Sequence, residues 1–191
     1  GSLKTFLNAM TYPDKTVYPV ASQNDKDFQN LMDVYLDAVF HPNCLENYQT
    51  FLQEGWHYTL NEEGKLGYSG VVYNEMRGAF SDPESVLERY TFHSLFPDTS
   101  YGNESGGDPE DIPKLTYDAF KAFHQRFYHP SNSFIILYGD MNMEEKLNWL
   151  DKQYLAKFER INPDYEIARQ KSFSSMVEET EYYPISKEED P

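Results

Sequence analysis

The chain has 191 residues and a single cysteine, Cys44. No intramolecular disulfide can form, and a cysteine-based metal cluster would lack its ligands. Such sparing use of cysteine suits a reducing compartment. Basic residues are also scarce: 16 Lys and Arg stand against 32 Asp and Glu, for a net charge of −16. Phosphate recognition needs clustered cations, so this balance argues against a nucleic-acid partner and reads first as a solubility feature. There is no run of 18 apolar residues, hence no membrane-spanning helix in the sequence. P-loop, dinucleotide-binding and G-x-S-x-G motifs are missing. The opening "GSLKTFLNAM" has no initiator Met, basic n-region or cleavage site, which leaves targeting unreadable. Its "GS" fits a cloning scar, or the sequence begins within a domain.

What is present is a globular composition, 39% hydrophobic and 16% aromatic with 16 Tyr and 13 Phe. It suffices for one core, or one core and a tail. Extended segments are predicted at 3–10 and 16–22 around the "YPDK" turn. The clearest helix follows, with Asn24 as N-cap and Phe28, Leu31, Met32, Tyr35, Val39 and Phe40 on one face before Pro42. A short helix near 45–54 leads to a hairpin, "WHYTL" and "KLGYS" around "NEEG", with Gly64 taking a positive φ. Residues 70–95 read as two helices broken near "SDPES", where Ser81 or Asp82 caps and Pro83 takes the first position. The loop 96–113 reads as too polar for core. A helix over 116–127, a buried strand in "SNSFIILYG", and a helix in "NMEEKLNWLDKQYLAKF" complete the pattern, with one further strand expected in the tail. The order predicts an α+β class, a largely antiparallel sheet with helices packed on one face.

Five histidines, His41, His57, His93, His124 and His129, show no zinc-helix spacing and read as capping or partly buried groups. The acids of "NEE" and "PEDIP" read as turn residues. Glu75 is different. In "GVVYNEMRGAF" it shares a helix face with Val71, Val72, Gly78 and Ala79, none of them a cation. Either it pairs with a distant base or reaches past small residues to water, or it is a metal ligand whose charge the cation neutralises. A catalytic zinc needs three protein ligands, and the residues offer no convincing second or third. The first strand mixes polar and apolar residues on both faces. It is either ordinary sheet or an edge able to pair with an extended peptide.

The segments "SLKTFLNAMTYPDKTVYPVASQNDKDFQNLMDVYLDAVFHP", "GVVYNEMRGAFSDPESVL", "YGNESGGDPEDIPKLTYDAFKAFHQRFYHPSN" and "YGDMN" together resemble the presequence-protease branch of the pitrilysin/insulinase zinc metallopeptidases, the inverzincins. The resemblance runs in order from residue 1 to about 161. It implies residues 1–161 of the first of four domains in a clamshell peptidase, with 162–191 a linker toward the next. In that family, zinc is bound by an H-x-x-E-H helix and a later glutamate in an N-E-M-[KR]-G context, which matches Glu75. The motif's own glutamate is the general base that activates zinc-bound water. The resemblance also implies an edge strand that binds substrate at Leu7, Asn8, Ala9 and Met10.

H-x-x-E-H is absent here, as are the arginine and tyrosine that the family's second half supplies. No catalytic residue is therefore assigned within the chain. The expectation is an inactive piece of a zinc-dependent endopeptidase that degrades short peptides, with Zn2+ belonging to the parent and bound weakly at most by this piece. Expected partners are peptide substrate and the remaining domains of the same polypeptide, with no nucleic acid and no membrane. Self-association over an uncovered apolar face is a further expectation. A bacterial cytoplasm is placed ahead of an organelle matrix. The alternative is a non-catalytic scaffold or peptide-binding homologue of the same fold.

Overall fold

The computed structural model describes residues 5–163 and 165–183. Five of the six described α-helices begin at a side-chain cap. Asn24 accepts a hydrogen bond from the Asp27 amide and starts α1, Asp25–Phe40. Asn47 caps α2, Tyr48–Glu54, and Asp82 caps α4, Pro83–Leu95, with proline at the first turn. Between these lies α3, Val71–Ala79. Thr116 caps α5, Tyr117–Phe127, and Asn142 caps α6, Met143–Gln153. Each cap satisfies a backbone donor that the first helical turn leaves without a partner.

Strands occur in three antiparallel or hairpin pairs. β1, Phe6–Leu7, pairs with β4, Val20–Ala21, in the register Phe6↔Ala21 and Leu7↔Val20. β2, Met10–Thr11, pairs with β3, Thr16–Val17, about the expected turn, where the Tyr12 amide donates to the Lys15 carbonyl at 2.8 Å. β5, His57–Leu60, pairs with β6, Leu66–Ser69, closed by Gly64 at φ 76°. The α+β class is thus realised, with no described sheet wider than two strands.

The chain forms two compact units. One comprises Gly1–Met10, Val17–Glu46 and Thr116–Tyr165; the other comprises Thr11–Thr16, Asn47–Leu115 and Glu166–Pro191. In the first, Met32 and Phe40 of α1 are buried, as are Leu150 of α6 and Tyr154 just beyond it. The Tyr154 hydroxyl lies 2.7 Å from the Asp33 carboxylate, and burial, with that acceptor, raises its pKa. Lys146 is buried too, its ammonium 2.9 Å from both Asp25 and Gln29 at the start of α1. In the second unit the core is Phe51, Tyr73, Val86 and Ile112.

Three expectations are corrected. The "SNSFIILYG" segment forms no strand and is not buried: Phe134 is 99% exposed, Ile136 86% and Tyr138 94%. No other described strand pairs with it, and without a partner an apolar run has no ladder to join. The 96–113 loop does reach the core, through Ile112 and the buried Gly102. The tail shows no strand over 177–183; the rest of that expectation lies outside the described residues.

Candidate functional site

α3 is positioned by its first residues. Gly70 has φ 147°, and a Cβ there would meet the Gly55 carbonyl oxygen at 2.2 Å. Only glycine permits both that backbone conformation and that approach. The close contact lets the Tyr73 amide donate to the same carbonyl at 3.3 Å. Tyr73 then packs edge-on against Tyr68, which also meets Trp56 and Tyr58. The Trp56 indole donates to the Leu115 carbonyl at 3.1 Å, so the cluster satisfies its polar tip. One turn on, Met76 lies against Gly106, where an added Cβ would come 2.2 Å from its sulfur. Tyr73 and Met76 therefore form the anchored face of α3, and Phe80 follows at its C-terminal cap.

Glu75 projects from a different face. It is exposed, as are Val71, Val72, Gly78 and Ala79 around it, and no Lys or Arg among the described residues pairs with it. The apolar surface expected to pack around this acid is open in this chain. A carboxylate set among apolar neighbours without a cation is chemically apt as a metal ligand, but it is a single ligand. The described residues contain no group of three or more His, Cys, Asp or Glu able to hold a metal ion. The side chains present therefore do not make a zinc site on their own.

The histidines are all engaged elsewhere. His57 Nδ1 lies 2.7 Å from the Leu52 carbonyl, and His124 Nε2 2.8 Å from that of Val39. His129 accepts from the Ser131 amide, His93 approaches the Gly102 carbonyl, and His41 faces Asp37 one turn back. These contacts bear out the capping and partly buried reading of the histidines. Cys44 is half-buried, and burial raises its thiol pKa, which keeps it in the less reactive thiol form.

The predicted substrate residues lie in the first unit, whereas Glu75 lies in the second. Leu7 belongs to β1 and Met10 to β2, with Asn8 and Ala9 linking them. The Asn8 side chain accepts from the Ala9 amide at 2.8 Å, a local turn that interrupts the extended segment. The Asn8 amide donates to Pro19 at 3.1 Å and continues the β1–β4 ladder. β1 thus has β4 along one side and no described strand along the other, and Phe6 and Leu7 are about half exposed.

An open cleft of about 360 Å³ in the second unit escaped the sequence reading. Met76 of α3, Phe80 just beyond it, Glu88, Arg89 and Phe92 of α4, and Tyr101 contribute to its walls. The signal was there in part: Phe80 ends one helix and Arg89 belongs to the next, but their contact depends on the turn at Ser81–Asp82. Arg89 lies over the Phe80 ring at 4.2 Å and pairs with Asp108 at 3.2 Å.

The sequence is similar to several known proteins. The chain is 52% identical over its whole length to presequence protease 1, chloroplastic/mitochondrial, of Arabidopsis thaliana, covering 18% of that protein. The mitochondrial presequence protease of Mus musculus is 46% identical over 84% of the chain, or 16% of its own length. The chain is a presequence-protease-like segment of the M16 peptidase type. Protein HypA of Clostridium perfringens is 57% identical over the full chain and 20% of its own length. A family profile described as "Peptidase M16 inactive domain" matches residues 114–189 and runs across position 161. The chain spans about a fifth of the length of the curated relatives it matches. Among the described residues, no helix is long and apolar enough to cross a membrane.

Proposed function

We propose that the polypeptide to which this chain belongs is a zinc-dependent metalloendopeptidase acting on short peptides, and that Glu75 is one of its metal ligands. The observation carrying this reading is an exposed, unpaired carboxylate on an open apolar helix face, in an N-E-M-R-G setting, within a presequence-protease-like segment. An H-x-x-E-H helix elsewhere in the parent supplies the remaining ligands and the base. Residues 1–161 belong to the first peptidase domain, and 162–191 lead toward the next. Leu7, Asn8, Ala9 and Met10 form the edge that takes the substrate backbone, supported by β1 having no described strand along its outer side.

The partners are peptide substrate and the other domains of the same polypeptide, without nucleic acid or membrane. Its compartment is a bacterial cytoplasm, with an organelle matrix as the alternative suggested by the names of the plant and animal relatives. Because this chain offers one ligand and no base, it does not hydrolyse peptides by itself. Turnover of a quenched fluorescent peptide tests both halves: the parent is active and chelator-sensitive, and the 191-residue chain is silent. Chelator-sensitive turnover by the chain, lost in Glu75→Gln, overturns the second half.

A second reading starts from the profile's description as an inactive domain, which applies to residues 114–189 and not to Glu75. On that reading the parent is a scaffold or peptide-binding homologue, and Glu75 is a relic. It predicts a parent without H-x-x-E-H.

A further inference from the structure

α3 has no side-chain cap at its N-terminus, unlike the other five described α-helices. A helix of nine residues is marginal in water, so its placement comes from packing. Two side chains three positions apart supply that packing. Tyr73 is held at the hairpin end, its amide on the Gly55 carbonyl and its ring against Tyr68. Met76 is held by the 104–112 loop. Its Sδ and Cε fill the space that a side chain on Gly106 would take, since an added Cβ would come within 2.2 and 2.8 Å of them.

The loop that carries Gly106 is itself fixed. The Gly107 amide donates to the Glu104 carbonyl at 3.1 Å, and the Ile112 amide donates to the Asp108 carbonyl at 2.8 Å. Ile112 is buried and seats the loop in the core. One oxygen of the Asp108 carboxylate accepts from the Glu110 amide at 2.8 Å, and the other meets Arg89 of α4 at 3.2 Å. Arg89 in turn lies over Phe80, the cap of α3. The loop thus grips α3 directly at Met76, and at Phe80 through Arg89.

We infer that the 104–112 loop is a positioning element for Glu75, acting through Met76. Successive helical residues turn by about 100°, so fixing Tyr73 and Met76 fixes the direction in which Glu75 leaves the helix. Glu75 has no ion-pair partner among the described residues to hold its carboxylate. A ligand held only by its helix is placed as well as that helix is placed, and a site left loose binds less well. The inference rests on Glu75 being a metal ligand, as proposed above. Met76, Gly106 and Asp108 act only through Glu75 and are positioning residues.

The test is the zinc affinity of the full-length parent, measured by competition with a chromophoric chelator. Met76→Ala should weaken zinc binding about tenfold, the scale of losing a group that supports a ligand. Met76→Leu keeps the bulk against Gly106 and should stay within about twofold of wild type. Asp108→Ala, which frees the loop from Arg89 without altering α3, should shift affinity the same way by a smaller factor. In a Glu75→Gln background, Met76→Ala should add no further loss, because the group it positions is gone. Leu150→Ala, a core truncation in the first unit, should lower the thermal melt and leave zinc affinity unchanged. Unchanged affinity in Met76→Ala, a further loss on top of Glu75→Gln, or an equal loss in Leu150→Ala would overturn the positioning role. If Glu75→Gln alone leaves affinity unchanged, the ligand reading fails and takes this inference with it. If Glu75→Gln loses zinc and Met76→Ala does not, the ligand reading stands and only the positioning role falls.

Discussion

The β5–β6 hairpin and the 134–138 segment show opposite outcomes from the same kind of sequence signal. "WHYTL" and "KLGYS" are only moderately apolar, yet they form a regular ladder from His57↔Ser69 to Leu60↔Leu66. "FIILY" is far more hydrophobic, yet it remains unpaired with three of its side chains nearly fully exposed. The difference is where the partner lies. The hairpin carries its own partner a few residues away, and Asn61 fixes the turn by accepting from the Glu63 and Lys65 amides at 3.1 and 2.8 Å. The segment at 134–138 has no pairing strand within the described chain. Hydrophobicity marks a segment for burial, but pairing needs a second strand. The same contrast divides the two faces of α3: Tyr73 and Met76 are anchored locally, and the Glu75 face is open.

Substitutions can break or sharpen this comparison. The largest effect is expected at Gly70, which seats α3 on the hairpin side of the second unit. Gly70→Ala imposes a strained φ and a clash with the Gly55 carbonyl that backbone must relieve. It should cost about 4 kcal/mol or prevent cooperative folding, read by urea denaturation. Tyr73→Ala removes the buried ring that meets Tyr68 and should cost about 3 kcal/mol. Asn61→Ala leaves two turn amides without their acceptor, for about 1 kcal/mol, and should loosen the hairpin selectively in amide exchange. The smallest effect is expected where nothing is packed: Ile136→Thr should lie within about 0.5 kcal/mol in this chain. A large loss at Ile136 would show that the segment is packed after all. In the longer parent, the same change should be clearly destabilising if other domains cover that segment.

These contrasts also mark what was legible in the sequence. Helix starts at Asn24 and Asp82 were readable because a cap and its first turn are neighbours in sequence. So were the Gly64 turn and the structural roles of the histidines, whose partners are backbone groups. The unpaired state of Phe134–Tyr138 was not readable, because apolarity reports a preference and not the presence of a partner. Ile112 escaped for the converse reason: one apolar residue in "EDIPK" gives no periodicity, yet it is buried. Glu75 was singled out by the lack of a neighbouring cation on its helix face. Its openness to solvent depends on what the rest of the polypeptide places there. The cleft at Phe80 and Tyr101 required segments some 20 residues apart to meet, which spacing alone does not show.

The central claim is that Glu75 serves a metal site completed by residues outside this chain. Its most direct test is the zinc content of the purified full-length parent, wild type and Glu75→Gln, after dialysis against metal-free buffer. The account predicts stoichiometric zinc in the wild type and a clear loss in the variant, with the thermal melt of the apo forms unchanged. Full retention of zinc by Glu75→Gln, or a wild-type parent that binds none, would contradict it.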